Sequence, residues 1–268
     1  MKRFALPVQP SAEGMIRLYE KDHHYLVRVR RLKPGMCFDA ALPGGAETKV
    51  RILSTVDNIL IGECLGATAK QAGKQPAIPP IALFQGLPKG AKMDTIVRQA
   101  AEGGVSLVAP FESEYSTARL GKGYGEKLKR WERIVREARQ QSGSAIETEI
   151  RHPCSFEELL DYWHSTKGGY KRPLAILLHQ EPLETGSFHD YLGNSPDFVV
   201  LAVGPEGGFS PREVSLFMAA AFRPLVMGNT ILRTETAALY GTAAIRIILL
   251  ESKAWTSGPT GLCSSRFP

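Results

Sequence analysis

The hydrophobic pattern changes character near residue 80. Before it, short apolar stretches alternate with turn residues. Cys37–Leu42, Lys49–Thr55 and Asn58–Cys64 read as strands, separated by Lys33-Pro34-Gly35, Pro43-Gly44-Gly45 and Val56-Asp57-Asn58. Closely spaced short strands predict a small β-barrel domain over residues 1–72. After residue 80, apolar runs alternate with helical patterns. Ile81–Gln85, Val105–Pro110, Glu147–Ile150, Pro173–His179, Phe198–Val203 and Leu225–Met227 read as strands. Unbroken apolar runs such as Phe198–Val203 are those of strands covered on both faces. Lys92–Glu102 sets Met93, Ile96, Val97, Ala100 and Ala101 at helical spacing, and Gly103 ends it. Gly125–Gln141 carries the stripe Leu128, Trp131, Val135 and Ala138. Ser155 with Glu158, and Ser210 with Pro211 and Glu213, open two further helices. An alanine-rich helix runs from Thr234 or Glu235 to about Glu251. The alternation predicts a parallel α/β sheet over residues 73–251. Residues 67–80 read as a linker, 184–196 as loop and 252–268 as a flexible tail.

Two strand–loop–helix units stand out. In Leu201–Ser210, LAVGPEGGFS, a buried strand runs into Gly204, Pro205, Glu206, Gly207 and Gly208 before a capped helix. In Val226–Ala237, VMGNTILRTETA, a strand runs into Gly228–Arg233 before another helix. Glycine lets a backbone take shapes that a Cβ forbids and lets a ligand approach the main chain. One such loop is an ordinary tight turn. Two in succession at the carboxyl ends of strands mark the edge where open α/β sheets bind ligands. The spacing fits neither the dinucleotide nor the P-loop glycine pattern.

Composition adds a direction. The formal charge is +6 and the isoelectric point about 9.1, which favours a polyanionic partner. The charge is concentrated in His23–Lys33, HHYLVRVRRLK, where Arg28, Arg30, Arg31 and Lys33 are either a solvated face or a phosphate-contacting patch with His24 and Tyr25 beside it for stacking. Lys89 and Lys92 follow a strand end, and the helix around Arg133 and Arg136 is also strongly basic. Cys37, Cys64, Cys154 and Cys263 are scattered with no C-x-x-C pair, the usage of reduced cytosolic thiols rather than a disulfide or metal site. No apolar run approaches the roughly 20 residues of a membrane span, and Met1–Val8 is too short for a signal peptide.

At these residues the chain resembles a SPOUT-class methyltransferase, and more closely the RsmE family of ribosomal RNA uridine N3-methyltransferases. The matching pieces are HHYLVRVRRLKPG, QGLPKGAKMDTIVRQAAEGGVSLVAPFESE, REARQQSG, LAVGPEGGFSPREV and GNTILRTETAAL, spread over roughly residues 20–250. The resemblance implies a PUA-like RNA-binding barrel followed by a sheet whose carboxyl-terminal part forms a trefoil knot. It implies S-adenosylmethionine as cofactor, ribosomal RNA or the small ribosomal subunit as partner, a homodimer, and a cytoplasmic location without membrane attachment. Carried over by position, the cofactor loops are Leu178 and His179; Val203, Gly204, Pro205, Gly207 and Gly208; and Met227, Gly228, Ile231 and Leu232. Arg28, Arg30, Arg31, Lys33, Lys89 and Lys92 are the RNA-contacting candidates. Two positions depart from the family pattern: Tyr115 and Ser144 stand where arginines are usual.

Methylating uracil N3 requires removing its proton, since the neutral imide nitrogen has no in-plane lone pair to offer. Three residues are catalytic candidates. Arg233 can stabilise charge on the uracil oxygens or pair with Glu206 or Glu235. Glu206 is a general base or a brace for its own loop, and Glu235 is the next carboxylate. His179 reads as structural. Two alternatives stay open: an enzyme of the same class with another RNA target, and a non-catalytic RNA-binding or ribosome-assembly protein.

Overall fold

The computed structural model describes residues 4–43, 47–67, 78–121, 123–144, 146–181 and 187–257. The amino-terminal part is a five-stranded sheet: β1 (Phe4–Ala5), β2 (Met15–Tyr19), β3 (Cys37–Ala41), β4 (Glu47–Val56) and β5 (Ile59–Ala67). Its order is β1-β3-β4-β5-β2, with β1 parallel to β3 and the other pairs antiparallel. Asp57 and Asn58 join β4 to β5 with φ of +54° and +59°, the two left-handed residues that a tight hairpin matched to strand twist requires. Period-two positions turn inward, so Ile16, Leu18, Phe38, Val50, Ile52 and Leu60 form one core with Phe4 and Leu26. No pairing joins β1 to β2 among the described residues, so the sheet is open where the sequence predicted a closed barrel. Between β2 and β3 the chain forms α1 (Glu20–His24) and a π-helical turn, Tyr25–Val29.

The larger part alternates strand and helix. Its strands are β6 (Ile81–Gly86), β7 (Leu107–Glu112), β8 (Glu149–Ile150), β9 (Cys154–Ser155), β10 (Pro173–Leu178), β11 (Phe198–Val203) and β12 (Phe222–Leu225). Its helices are α2 (Lys92–Gly103), α3 (Tyr124–Ser142), α4 (Phe156–Lys167), α5 (Phe188–Leu192), α6 (Pro211–Ala219) and α7 (Thr234–Ser257). All strand pairs are parallel, in the order β12-β10-β11-β6-β7-β8, with β9 also on β7. The fold is therefore α/β with a parallel central sheet. Alternate residues of one strand feed opposite layers. Ile81 and Leu83 pack under α2, α3 and α7, while Ala82 and Phe84 face α4 and α6. Burial on both faces explains why these strands read as unbroken apolar runs.

The helices begin where the sequence signals them. Ser155 and Ser210 each accept the N–H three residues on, and the returning carboxylates of Glu158 and Glu213 complete capping boxes. Several boundaries differ from expectation. Gly104, not Gly103, caps α2 with φ of +73°, and Val105 donates to Ala100 O, which delays β7 to Leu107. Residues 184–196 are not all loop: Ser187 and Asp190 form a third capping box that starts α5. The last strand lies earlier, at Phe222–Leu225, an edge position that tolerates Pro224. The carboxyl-terminal helix continues to Ser257 rather than ending near Glu251. Residues 258–268 of the expected tail and 68–77 of the expected linker lie outside the described residues. The two parts touch through α3: Gln140 Nε2 donates to Asp22 Oδ1 at 3.0 Å, and Lys21 pairs with Glu137 at 3.6 Å.

Candidate functional site

The carboxyl ends of β10, β11 and β12 open into three loops that face one cleft of about 1260 Å³. Every cofactor-loop residue expected from the sequence lines it: Leu178, His179, Val203, Gly204, Pro205, Gly207, Gly208, Met227, Gly228, Ile231 and Leu232. Glu206, Arg233 and Lys92 join them, with Gln180, Asn229 and Thr230 as further polar groups.

The glycines have distinct reasons to be there. Gly208 and Gly228 sit at φ of +71° and +85°, and a Cβ on either would meet nothing within 4 Å, so both loops turn tightly beside open space. A Cβ on Gly204 would lie 3.1 Å from Gly208 C and Cα, because the loop folds back on itself. His179 Nδ1 lies 3.0 Å from Glu181 O and 3.2 Å from Glu181 N, which braces its own loop.

Behind the loops lies a polar joint that sequence reasoning missed. Gln85, fully buried at the end of β6, donates from Nε2 to Thr234 Oγ1 at 2.9 Å and to Gly86 O at 2.9 Å. Thr234 Oγ1 in turn donates to Gly204 O at 2.6 Å. The joint ties β6, the GPEGG loop and the start of α7 into one unit. The signal was available: Gln85 is a single polar residue in an otherwise apolar buried strand, and such a group needs partners. Glu213 does more than cap α6. It is fully buried and reaches further, accepting from Ser113 Oγ and from the Glu114 N–H, each at 3.0 Å. It thus fastens the loop after β7 to the start of α6.

The charged candidates separate. Glu206 accepts from Lys92 Nζ at 2.6 Å and from the Lys89 N–H at 3.2 Å to each oxygen. Burial by itself raises its carboxyl, but the Lys92 hydrogen bond and the backbone N–H groups outweigh that and hold it below the usual range. Lys92 also lies 3.8 Å from Glu235 Oε2, an atom with no hydrogen-bond partner. Arg233 is exposed and pairs with neither Glu206 nor Glu235 among the described residues. Lys89 does not line the cleft; its backbone N–H reaches Glu206, which does.

Arg28, Arg30, Arg31 and Lys33 belong to the amino-terminal part, and none lines the cleft. Arg28, Arg31 and Lys33 are exposed and Arg30 half-buried. His24 is exposed too, but Tyr25 stacks on Phe4 with ring centroids 6.0 Å apart, so its ring serves the core. On α3, Arg130 is engaged by Asp94 and Lys129 by Glu126, while Arg133 and Arg136 remain exposed. Cys37, Cys64 and Cys154 are free thiols, and Cys263 lies outside the described residues. Among the described residues no acidic, histidine or cysteine cluster suits a metal, and no helix is long and apolar enough to cross a membrane.

The family model described as an RNA methyltransferase domain matches residues 74–246, the stretch that holds the parallel sheet and both glycine loops. The chain belongs to this family. Its relatives include proteins named ribosomal RNA small subunit methyltransferase E. That protein from Synechocystis is 31% identical over 250 residues, covering 92% of this chain and 78% of the relative. The Bacillus subtilis protein is 28% identical over 225 residues, covering 83% and 86%. A crystal structure of ribosomal RNA small subunit methyltransferase E from Neisseria gonorrhoeae bound to S-adenosyl methionine superposes with a TM-score of 0.75 at 25% identity, covering 92% of this chain and 98% of that one.

Proposed function

We propose that this chain transfers a methyl group from S-adenosylmethionine to N3 of a uridine in 16S ribosomal RNA of the small subunit. The observation that carries the reading is the convergence of three strand-end loops on one cleft beside Arg233, which has no ion-pair partner among the described residues. The residues present fit the cofactor. Gly208 and Gly228 leave open space at the cleft wall, Leu178, Met227 and Leu232 supply apolar surface, and the loop backbones supply polar groups for an adenine edge and ribose. The cleft exceeds the roughly 300–1,000 Å³ of single-ligand pockets, which leaves room for part of an acceptor.

S-adenosylmethionine, when bound, supplies an electrophilic methyl group. The chain's own residues position the acceptor and ease the loss of its proton. Arg233, with no carboxylate partner among the described residues, stabilises the negative charge that spreads onto the uracil oxygens as N3 loses its proton. Glu206 is poorly suited as a base, because Lys92 and the Lys89 N–H stabilise its ionised form. It braces the loop. Glu235 does not line the cleft, and its Oε2 is buried 3.8 Å from the same Lys92, so neither carboxylate takes the proton in this reading and N3 gives it up to solvent.

Residues 1–72 serve as a PUA-like RNA-binding domain, supported by the exposed Arg28, Arg31 and Lys33, with Arg30 beside them. Residues 73–251 serve as the catalytic domain, with Lys89 and Lys92 at the RNA side of the cleft. A trefoil knot in its carboxyl-terminal part is supported by α7, which follows the edge strand β12 yet packs on β11 and β6 beyond β10. A homodimer is supported by the apolar side chains that α7 leaves exposed, Leu239, Tyr240, Ile247 and Leu250. The cytoplasm, where small subunits are assembled, is the corresponding location.

Incubation with labelled S-adenosylmethionine and small subunits lacking this modification is expected to place label on 16S RNA, recovered as 3-methyluridine after digestion to nucleosides. Label on another nucleoside would replace the uridine assignment, and absence of label would overturn methyl transfer.

A further inference from the structure

The loop after β7 holds an aromatic ring half exposed to water, next to the cleft but outside its lining. Ser113 and Ser116 are almost fully buried, at 1% and 2% exposure, while Tyr115 between them is 50% exposed. The loop is fixed without the ring. The Ser113 N–H donates to Ser116 Oγ at 3.1 Å and the Ser116 N–H to Ser113 O at 2.9 Å. Buried Glu213 holds the Ser113 hydroxyl and the Glu114 N–H from below.

This turn stands against the GPEGG loop. A Cβ on Gly207 would lie 2.8 Å from Tyr115 Cβ and 3.6 Å from its Cγ, so only glycine admits the approach. The neighbouring carboxylates are each paired with an arginine, two of them sharing one guanidinium. Glu114 is paired with Arg212 at 2.8 Å, Arg212 also holds Glu157 at 2.9 Å, and Glu112 holds Arg119 at 2.9 Å. These ion pairs leave one negative charge in excess, shared between Glu114 and Glu157 across Arg212, for a polyanion approaching Tyr115 to meet. The result is an aromatic face carried on a rigid turn beside a cofactor loop.

Resting on the methyl-transfer reading above, we propose that Tyr115 is the platform on which the target nucleobase, or its immediate neighbour, stacks when the RNA strand enters the cleft. A single-stranded base offers its face to an aromatic ring whatever its identity, and a base presented for chemistry must leave its own stack. Tyr115 is a positioning residue in this role. It acts on the acceptor and leaves cofactor affinity alone.

The test compares the wild-type chain with Tyr115→Ala and Tyr115→Phe, using unmethylated small subunits as acceptor. KM for the subunits, Kd for S-adenosylmethionine and uridine adducts after ultraviolet crosslinking are measured. Loss of one stacking contact is expected to raise the subunit KM of Tyr115→Ala about tenfold or more, with phenylalanine within about twofold of wild type. Cofactor Kd is expected to stay unchanged in both variants, and the crosslinked uridine to fall on the peptide containing Tyr115. An unchanged KM in Tyr115→Ala would overturn the proposal, and so would an equal loss of cofactor affinity, since the ring would then merely brace Gly207. A wild-type chain that methylates no subunit would overturn the functional reading itself. Normal wild-type turnover with an indifferent alanine variant overturns only the role of Tyr115.

Discussion

Arg233→Ala is expected to lower kcat for methyl transfer about a hundredfold or more, while Kd for S-adenosylmethionine stays within about threefold; removing one preorganised donor from a developing anion typically has an effect of this size. The expectation rests on where the side chain is and on what it does not touch. Arg233 lies on the cleft wall, immediately before Thr234 starts α7. It is exposed and forms no ion pair with Glu206 or Glu235. An arginine holding the loop together would be paired, and its loss would weaken cofactor binding and turnover alike. An unpaired one is available to the acceptor. Steady-state kinetics beside calorimetric titration separates the two cases. Unaltered turnover in the variant would remove Arg233 from the chemistry.

Gly86→Ala is expected to weaken cofactor affinity at least about tenfold and to destabilise the chain by roughly 1–3 kcal/mol, the usual range for overpacking. Gly86 ends β6 beneath the GPEGG loop. A Cβ there would lie 2.6 Å from Pro205 Cδ, 2.8 Å from Pro205 N and 3.2 Å from Gly204 C. Backbone and a proline ring cannot rotate away as a flexible side chain can, so the loop itself must move. The shift would also pull on the Thr234–Gly204 hydrogen bond that anchors α7. Gly103→Ala is the control, since a Cβ there meets nothing within 4 Å. Thermal unfolding and cofactor titration of both variants check the expectation. An alanine at 86 that binds like wild type would show that loop placement does not set the site.

The strand–loop–helix units were legible because their signals are local. Phe198–Val203 is apolar on both faces, and Ser210, Pro211 and Glu213 are adjacent residues whose capping hydrogen bonds span a single turn. The three loops could be placed on one cleft because parallel strands in one sheet bring their carboxyl ends to the same edge. What the sequence hid was non-local. Nothing near residue 213 shows that its carboxylate also holds the backbone of Glu114, which is 99 positions away. Gln85 and Thr234 meet only through the fold, 149 positions apart. The pairing of Lys92 with Glu206, 114 positions apart, is likewise invisible in the sequence. The amino-terminal strands were found from turn residues, but closure depends on whether the two edges meet, which turn chemistry does not encode. Tyr25 illustrates the same limit. A ring within a basic segment looked available for stacking, and its contact with Phe4 commits it to the core.

The central claim is that the three loops form a methyl-donor site. It is tested most directly by calorimetric titration of the purified chain with S-adenosylmethionine, with NAD and ATP as controls. Saturable binding of S-adenosylmethionine alone is expected, weakened at least about tenfold in Gly86→Ala and retained in Arg233→Ala. Absence of binding, or equal affinity for the two control nucleotides, would contradict it.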